Sequence, residues 1–314
     1  MWIEEEQPSW HERSAQLLHT TEAALAMMPL GDLFVHVYVL VDDALASGAI
    51  PRPRRPGRAP GCSDAEVLTL TLVRHLRGRR SERAFLAEVR REWAAYFPVV
   101  PVQSEFNRRA RWLWGAFEAL RQQILVTVPV DGWQQVDTTA VPVKHPSRVR
   151  GPDGWTGPGG LRAGFGRDAA HREWFYGFRL GVRTDLGSRL VRAWALVPAA
   201  VDERAVADDL LDGAVPPAGL LLDQGFRGRA WAAAHAEEGT AVVYAHSRAE
   251  RRTLPAAVRR PVAALRNRIE TTIGELTDVD RLRLARHGAK TVWGLLTRIA
   301  ATVLAHTLLQ LDLA

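Results

Sequence analysis

The chain has 314 residues, of which 47% are hydrophobic, enough to bury a sizeable core in one large domain or two modest ones and too many for a wholly disordered polymer. It carries 41 basic and 35 acidic residues, a net charge of +6, and only Lys144 and Lys290 are lysines, so the positive charge is nearly all guanidinium, the group that grips phosphate oxygens in a planar fork. A single cysteine, Cys62, excludes an internal disulfide framework and any zinc site of several thiolates.

Residues 1–50 read as a helical segment. Leu17, Leu18, Ala24, Leu25 and Met28 form one apolar group and the valine-rich run from Leu33 to Val41 a second. The start, Met-Trp-Ile-Glu-Glu-Glu, is acidic where an export signal is basic, which predicts a cytoplasmic chain. Residues 51–61 read as a linker: four prolines break helix and sheet, and Arg52, Arg54, Arg55 and Arg58 repel one another.

Residues 62–128 read as a helical module suited to binding DNA. Ser63-Asp-Ala-Glu66 is a capping box followed by Leu68, Leu72 and Leu76, a second helix spans Ser81 to Tyr96, and a third begins near Ser104. The third has Ala110, Leu113, Phe117, Leu120 and Ile124 as its stripe. Its other faces carry Arg108, Arg109, Arg111 and Arg121, expected to be exposed, with Arg108 and Arg109 as candidate phosphate contacts. An ordinary bundle with solvated charges fits this pattern equally well.

From residue 129 to the end the pattern becomes α/β. Trp133 to Val143, Tyr176 to Val182 and Leu190 to Val197 read as strands, a helix opens at Asp202-Glu-Arg204, and Gly219 to Asp223 is a short buried strand. Ala230 to Ala236 is helical, Thr240 to Ala245 is a fifth strand, and Pro261 is placed to start the next helix. The glycine-rich stretch 146–172 reads as a loop whose Arg162 and Arg167 can close over DNA. Thr291 to Leu313 is apolar, but Arg298, His306 and Gln310 interrupt it, so it is expected to be a buried terminal helix and not a membrane span.

Three acids stand out. Asp137 lies midway along the first strand, Asp223 closes Leu220-Leu-Leu222, and Glu270 borders a helical stripe of Leu265, Ile269, Ile273 and Leu276. A carboxylate on a buried strand is costly unless it is paired or bound to metal. Three of them meeting at one sheet edge make an oxygen cage for two Mg²⁺ or Mn²⁺ ions, the arrangement that clamps both oxygens of a phosphoryl transfer. Asp202 and Glu203 have a simpler reading as helix cap and first-turn acid.

The order of these acids, with Val136-Asp-Thr-Thr139, Leu222-Asp-Gln-Gly-Phe226 and Arg266-Asn-Arg-Ile-Glu270, resembles the DDE transposases. That resemblance implies an RNase H-like mixed sheet flanked by helices, Asp137, Asp223 and Glu270 as catalytic metal ligands, and Arg266 as a phosphate contact. The words Ser63-Asp-Ala-Glu-Val-Leu68, Trp174-Phe-Tyr-Gly-Phe-Arg-Leu180 and Val201-Asp-Glu-Arg204 are similar to the insertion sequence 982 group of bacterial transposases. Gly181, where that group has a histidine, and Thr277, where related families often have a lysine, depart from the pattern. The implied partners are double-stranded DNA, as transposon ends and target, and a second copy of the chain. Two other classes fit more loosely: an RNase H-like nuclease that cuts without joining, and a non-catalytic DNA-binding descendant of a transposase.

Overall fold

Local chemistry sets the first helices. The computed structural model describes residues 28–50, 57–151, 153–168, 173–253, 255–278 and 281–311, so the expected helix around Leu17 to Leu25 and the first half of the linker lie outside the described residues. The valine-rich run is helix α1 (Leu30–Ala46): Leu33, Phe34, Val37, Leu40, Val41 and Ala44 are buried at a three-to-four spacing, which overrides the β preference of valine. Helix α2 (Asp64–Leu76) starts on the expected capping box, with Ser63 Oγ accepting from the Glu66 amide at 3.1 Å and the Glu66 carboxylate accepting from the Ser63 amide. Helix α3 (Glu82–Glu92) starts on Ser81, whose hydroxyl accepts from the Ala84 amide at 3.1 Å.

The third expected helix is two, α4 (Gln103–Trp112) and α5 (Trp114–Val126), broken at buried Leu113. The break turns the chain so that both Phe106 and Ala110 on α4 and Phe117, Leu120 and Ile124 on α5 reach the interior. These five helices form one unit with the last, α10 (Val292–Gln310). Among the described residues α10 alone is long and apolar enough to cross a membrane. Most of it is buried here: Leu295, Ile299, Ala300, Val303 and Leu304 belong to the core of this unit. The helix is expected with the α/β region that precedes it, whereas it packs with the helices from the other end of the chain.

The second unit, residues 130–292, is built on a mixed sheet of six strands: β1 (Trp133–Lys144), β2 (Gly164–Asp168), β3 (Glu173–Asp185), β4 (Val191–Pro198), β5 (Gly219–Leu222) and β6 (Ala241–Tyr244). Central β1 pairs antiparallel with β3, placing Asp137 opposite Val182, and parallel with β5. Strand β6 adds parallel to β5. On the far edge of β3, β2 pairs with Glu173–Gly177 and β4 with Phe178–Thr184, end to end. Three antiparallel strands followed by two parallel ones is the expected RNase H-like order, with β2 as an addition inside the stretch expected to be loop.

Helix α6 (Glu203–Leu211) covers one face, its Val206, Ala207 and Leu210 packing with Val136, Leu220, Leu222 and Phe226. The glycine at 181 is explained by this contact: a Cβ there would stand 2.3 Å from Val206 Cγ1, so the helix can lie this close only over a residue without a side chain. Helix α7 (Arg229–Glu237) follows β5, and the short α8 (Arg248–Thr253) follows β6.

Helix α9 (Ala256–Thr277) begins earlier than expected: Pro261 lies inside it and does not open it. It is tied to β1 by Gln135 Nε2, which donates to the Leu265 carbonyl at 3.0 Å. Its stripe is narrower than expected, with Ile269 and Leu276 buried but Leu265 exposed.

Candidate active site

The site arises from a difference in strand length. Strand β5 stops at Leu222 and pairs with β1 only through Trp133, Gln134 and Gln135, so β1 runs on past its parallel neighbour. That overhang, Asp137 to Ala140, forms one wall of a cavity of about 650 Å³. Asp223 enters where β5 ends, Arg266 and Glu270 enter from α9, and Arg167 and Arg179 from β2 and β3. The three acids singled out in the sequence therefore line one cavity, together with Arg266 and Arg167.

Each acid is positioned by its own backbone. Asp137 Oδ1 accepts from the next amide, Thr138 N, at 2.7 Å. Asp223 precedes a single 3₁₀ turn, Gln224–Phe226, which is pinned by buried Phe226 and by Gln224, whose amide donates to the Ala245 carbonyl. Gly225 within that turn lies close to Glu203: a Cβ there would stand 2.6 Å from Glu203 Oε2 and push that carboxylate aside. Glu270 and Arg266 face each other one helical turn apart, Arg266 Nη2 to Glu270 Oε1 at 2.8 Å, and Arg266 Nε lies 3.7 Å from Asp223 Oδ1. Arg266 thus stands between the two acids.

Glu203 is expected only as a first-turn acid. Asp202 does cap α6, accepting from the Arg204 amide at 3.0 Å, but the first-turn acid beside it turns into the cavity. Glu203 Oε1 accepts from Arg179 Nη1 at 2.5 Å and from Thr138 Oγ1 at 3.1 Å, and Arg179 Nη1 also reaches Thr138 Oγ1 at 3.0 Å. Five carboxylates consequently line the cavity, the fifth being Asp168 at the end of β2. Burial, reinforced by the charges of Glu203, Asp223 and Glu270 and opposed by the Thr138 amide, pushes Asp137 up to about 7.

The remaining arginines divide. Arg167 is exposed on β2 and lines the cavity, whereas exposed Arg162 belongs to a separate bridge with Thr156 and is not among the lining residues. In the helical unit Arg108 is exposed and holds both oxygens of Glu105, at 2.6 and 2.8 Å. Arg109 is not exposed as expected. It is 4% exposed and spans from Asp64 Oδ1, at 2.7 Å, to the Cys62 carbonyl, at 2.6 Å, tying α4 to the start of α2. Arg121 is likewise buried, against Glu118.

A family model for the transposase DDE domain matches residues 135–308, more than half of the chain. The chain belongs to the transposase DDE domain family. No curated protein matches it.

Transposases of this family are in general dependent on a divalent metal, and the donors fit one by chemistry: the acids facing the cavity offer only hard carboxylate oxygens, and their mutual repulsion is what a cation relieves. As the side chains stand, no three His, Cys, Asp or Glu groups among the described residues are gathered closely enough to hold an ion. Between Asp223 and Glu270 the position is taken by the Arg266 guanidinium.

Proposed function

We propose that this transposase cleaves the ends of a transposon and joins the freed 3′ hydroxyl to target DNA by two-metal phosphoryl transfer. Asp137, Asp223 and Glu270 would hold the ions, Mg²⁺ or Mn²⁺. The observation that carries the reading is that these three acids, far apart in the chain, line one cavity at the overhanging edge of β1. When bound, such a metal pair stabilises the charge that builds on the attacking and leaving oxygens.

The protein's own part is placement. The Thr138 amide fixes one oxygen of Asp137, leaving the other for the cavity. Glu203 anchors Thr138 and Arg179 against the first turn of α6, which holds the overhang in place while contributing further negative potential. Arg266 neutralises Asp223 and Glu270 in the metal-free protein and, once released, is positioned to grip the scissile phosphate as a guanidinium fork. Arg167 supplies a second cation at the cavity wall.

Within the family we assign the chain to the insertion sequence 982 group, on the three words around Ser63, Trp174 and Val201. The close contact of Gly181 with Val206 gives a packing reason for its departure at that position. We further assign end binding to the helical region 62–128, two-ended action to a homodimer, and the place of action to the cytoplasm, on the nucleoid.

The test is a labelled transposon end incubated with a supercoiled target and Mg²⁺. The wild type is expected to give both a cleaved end and a joined product, while Asp223→Asn and Glu270→Gln give neither and still bind the end. Cleavage without joining by the wild type would reassign the chain to a nuclease. Full cleavage by both variants would remove these acids from the site.

A further inference from the structure

A second polar cluster is buried in the helical unit, where α2, α3, α4 and α10 meet. Arg74, His75, Glu82, Asn107, Arg111 and Arg298 line a cleft of about 20 Å³, room for one oxygen-sized atom. Its charges do not balance. Among the described residues Glu82 is the one acid in the lining, and it is already engaged by Gln103 Nε2 and Asn107 Nδ2, each at 3.3 Å, and by Arg298 at 3.5 Å. Three guanidinium groups therefore face one carboxylate.

His75 adds no counter-charge. Burial and the neighbouring Arg74 and Arg298 hold it well below its ordinary value, so the ring is neutral, lying 3.0 Å from Arg74 Nη2 and 3.4 Å from Thr302 Oγ1. Burial and the Arg298 charge also push Arg74 itself down to about 10. Arg74 is 6% exposed, and its Nε–H is buried without an acceptor among the described residues. A buried, charged donor left unanswered is costly, and an anionic oxygen is the strongest small acceptor that fits the space. Arg298, 22% exposed, and half-buried Arg111 leave the cleft open to solvent.

We propose that this cleft is an oxyanion subsite of the helical unit that receives a phosphate oxygen of the DNA backbone. It replaces Arg109, which the sequence pointed to and which Asp64 and the Cys62 carbonyl occupy. The choice of DNA as occupant rests on the transposase reading, but nothing in the subsite depends on Asp137, Asp223 or Glu270.

The test uses the full chain in EDTA, so that cleavage plays no part. Duplex affinity is measured by fluorescence anisotropy across a potassium glutamate series for the wild type, Arg111→Gln, Arg111→Lys and the control Arg91→Gln, whose exposed guanidinium pairs with Glu92. Arg111→Gln is expected to weaken duplex binding about tenfold near 0.1 M salt and to lower the log–log salt slope by about one, with an unchanged Tm; Arg111→Lys restores part of both. Melting in inorganic phosphate against gluconate at constant ionic strength separates the two sources of the oxyanion.

An unchanged slope in Arg111→Gln, or an equal drop in Arg91→Gln, overturns the proposal. Stabilisation by inorganic phosphate without a slope change would reveal a free-ion site and overturn the DNA assignment. A cleft that holds only water gives neither effect. Triad variants keep the full salt slope, so this inference and the catalytic reading fail separately.

Discussion

Two aspartates on the same sheet have opposite surroundings. Asp185, at the end of β3, is fully buried, and every contact around it compensates its charge: Arg192 donates from Nε at 2.7 Å and Nη2 at 2.6 Å, Ser188 Oγ lies at 3.1 Å and Gln134 Nε2 at 3.2 Å. Asp137, on neighbouring β1, has one amide donor and three further carboxylates in range, and no arginine or lysine pairs with it among the described residues. The first arrangement holds a fold together. The second leaves a carboxyl that burial and neighbouring like charges hold up at about 7.

The sharpest way to break this comparison on the Asp185 side is Asp185→Asn, which removes the carboxylate charge that answers the buried Arg192. A loss of roughly 3–5 kcal/mol is expected in denaturant melts, with cleavage retained by the fraction still folded. A loss under about 1 kcal/mol would mean that Asp185 is not the structural anchor described.

On the Asp137 side the expected sign is reversed. Its folded-state value of about 7 lies above the ordinary 3.8, so the folded protein holds a proton that the unfolded chain gives up near 4. Metal-free stability therefore falls as pH rises from about 4 to about 7, and the penalty is complete above that range. Asp137→Asn removes the penalty. The variant is expected to be more stable than wild type in EDTA at pH 8, by ~2 kcal/mol for a half-buried group, with the difference shrinking as pH falls towards 4. Thermal melts from pH 8 down to 5 read this directly, and a variant less stable than wild type at pH 8 contradicts it.

The smallest effect sharpens the role of Glu203. Glu203→Gln keeps a side chain of the same size but removes the charge that holds Arg179 and Thr138. A fall of about tenfold in kcat with KM for the DNA end unchanged is expected, since the residue acts on the overhang and not on the substrate. A change in KM alone would make it a DNA contact.

How much of this could be read from the chain depends on whether the signal is local. The strand carrying Asp137 is rich in β-branched residues, Asp223 closes a short apolar run, and Glu270 borders a helical stripe, so the elements that carry the three acids are legible in the sequence. Glu203 was not, because a first-turn acid beside an N-cap is what any helix start favours, and its second role depends on Thr138 and Arg179, distant in sequence.

Arg109 misled for a similar reason: helical spacing sets it beside the stripe, but its partners Asp64 and Cys62 come from another helix start. Strand β2 was hidden among glycines, with Gly164 and Gly166 in five residues. The last helix shows its apolar character plainly, yet nothing in its residues says which unit it completes.

The most direct measurement compares cleavage of a labelled transposon end in Mg²⁺ by Asp137→Asn and Asp185→Asn, each assayed below its own Tm. The account predicts that Asp137→Asn loses at least about 10³-fold in rate while folding as well as the wild type, and that Asp185→Asn, though less stable, still cuts. Cleavage at the wild-type rate by Asp137→Asn would contradict it.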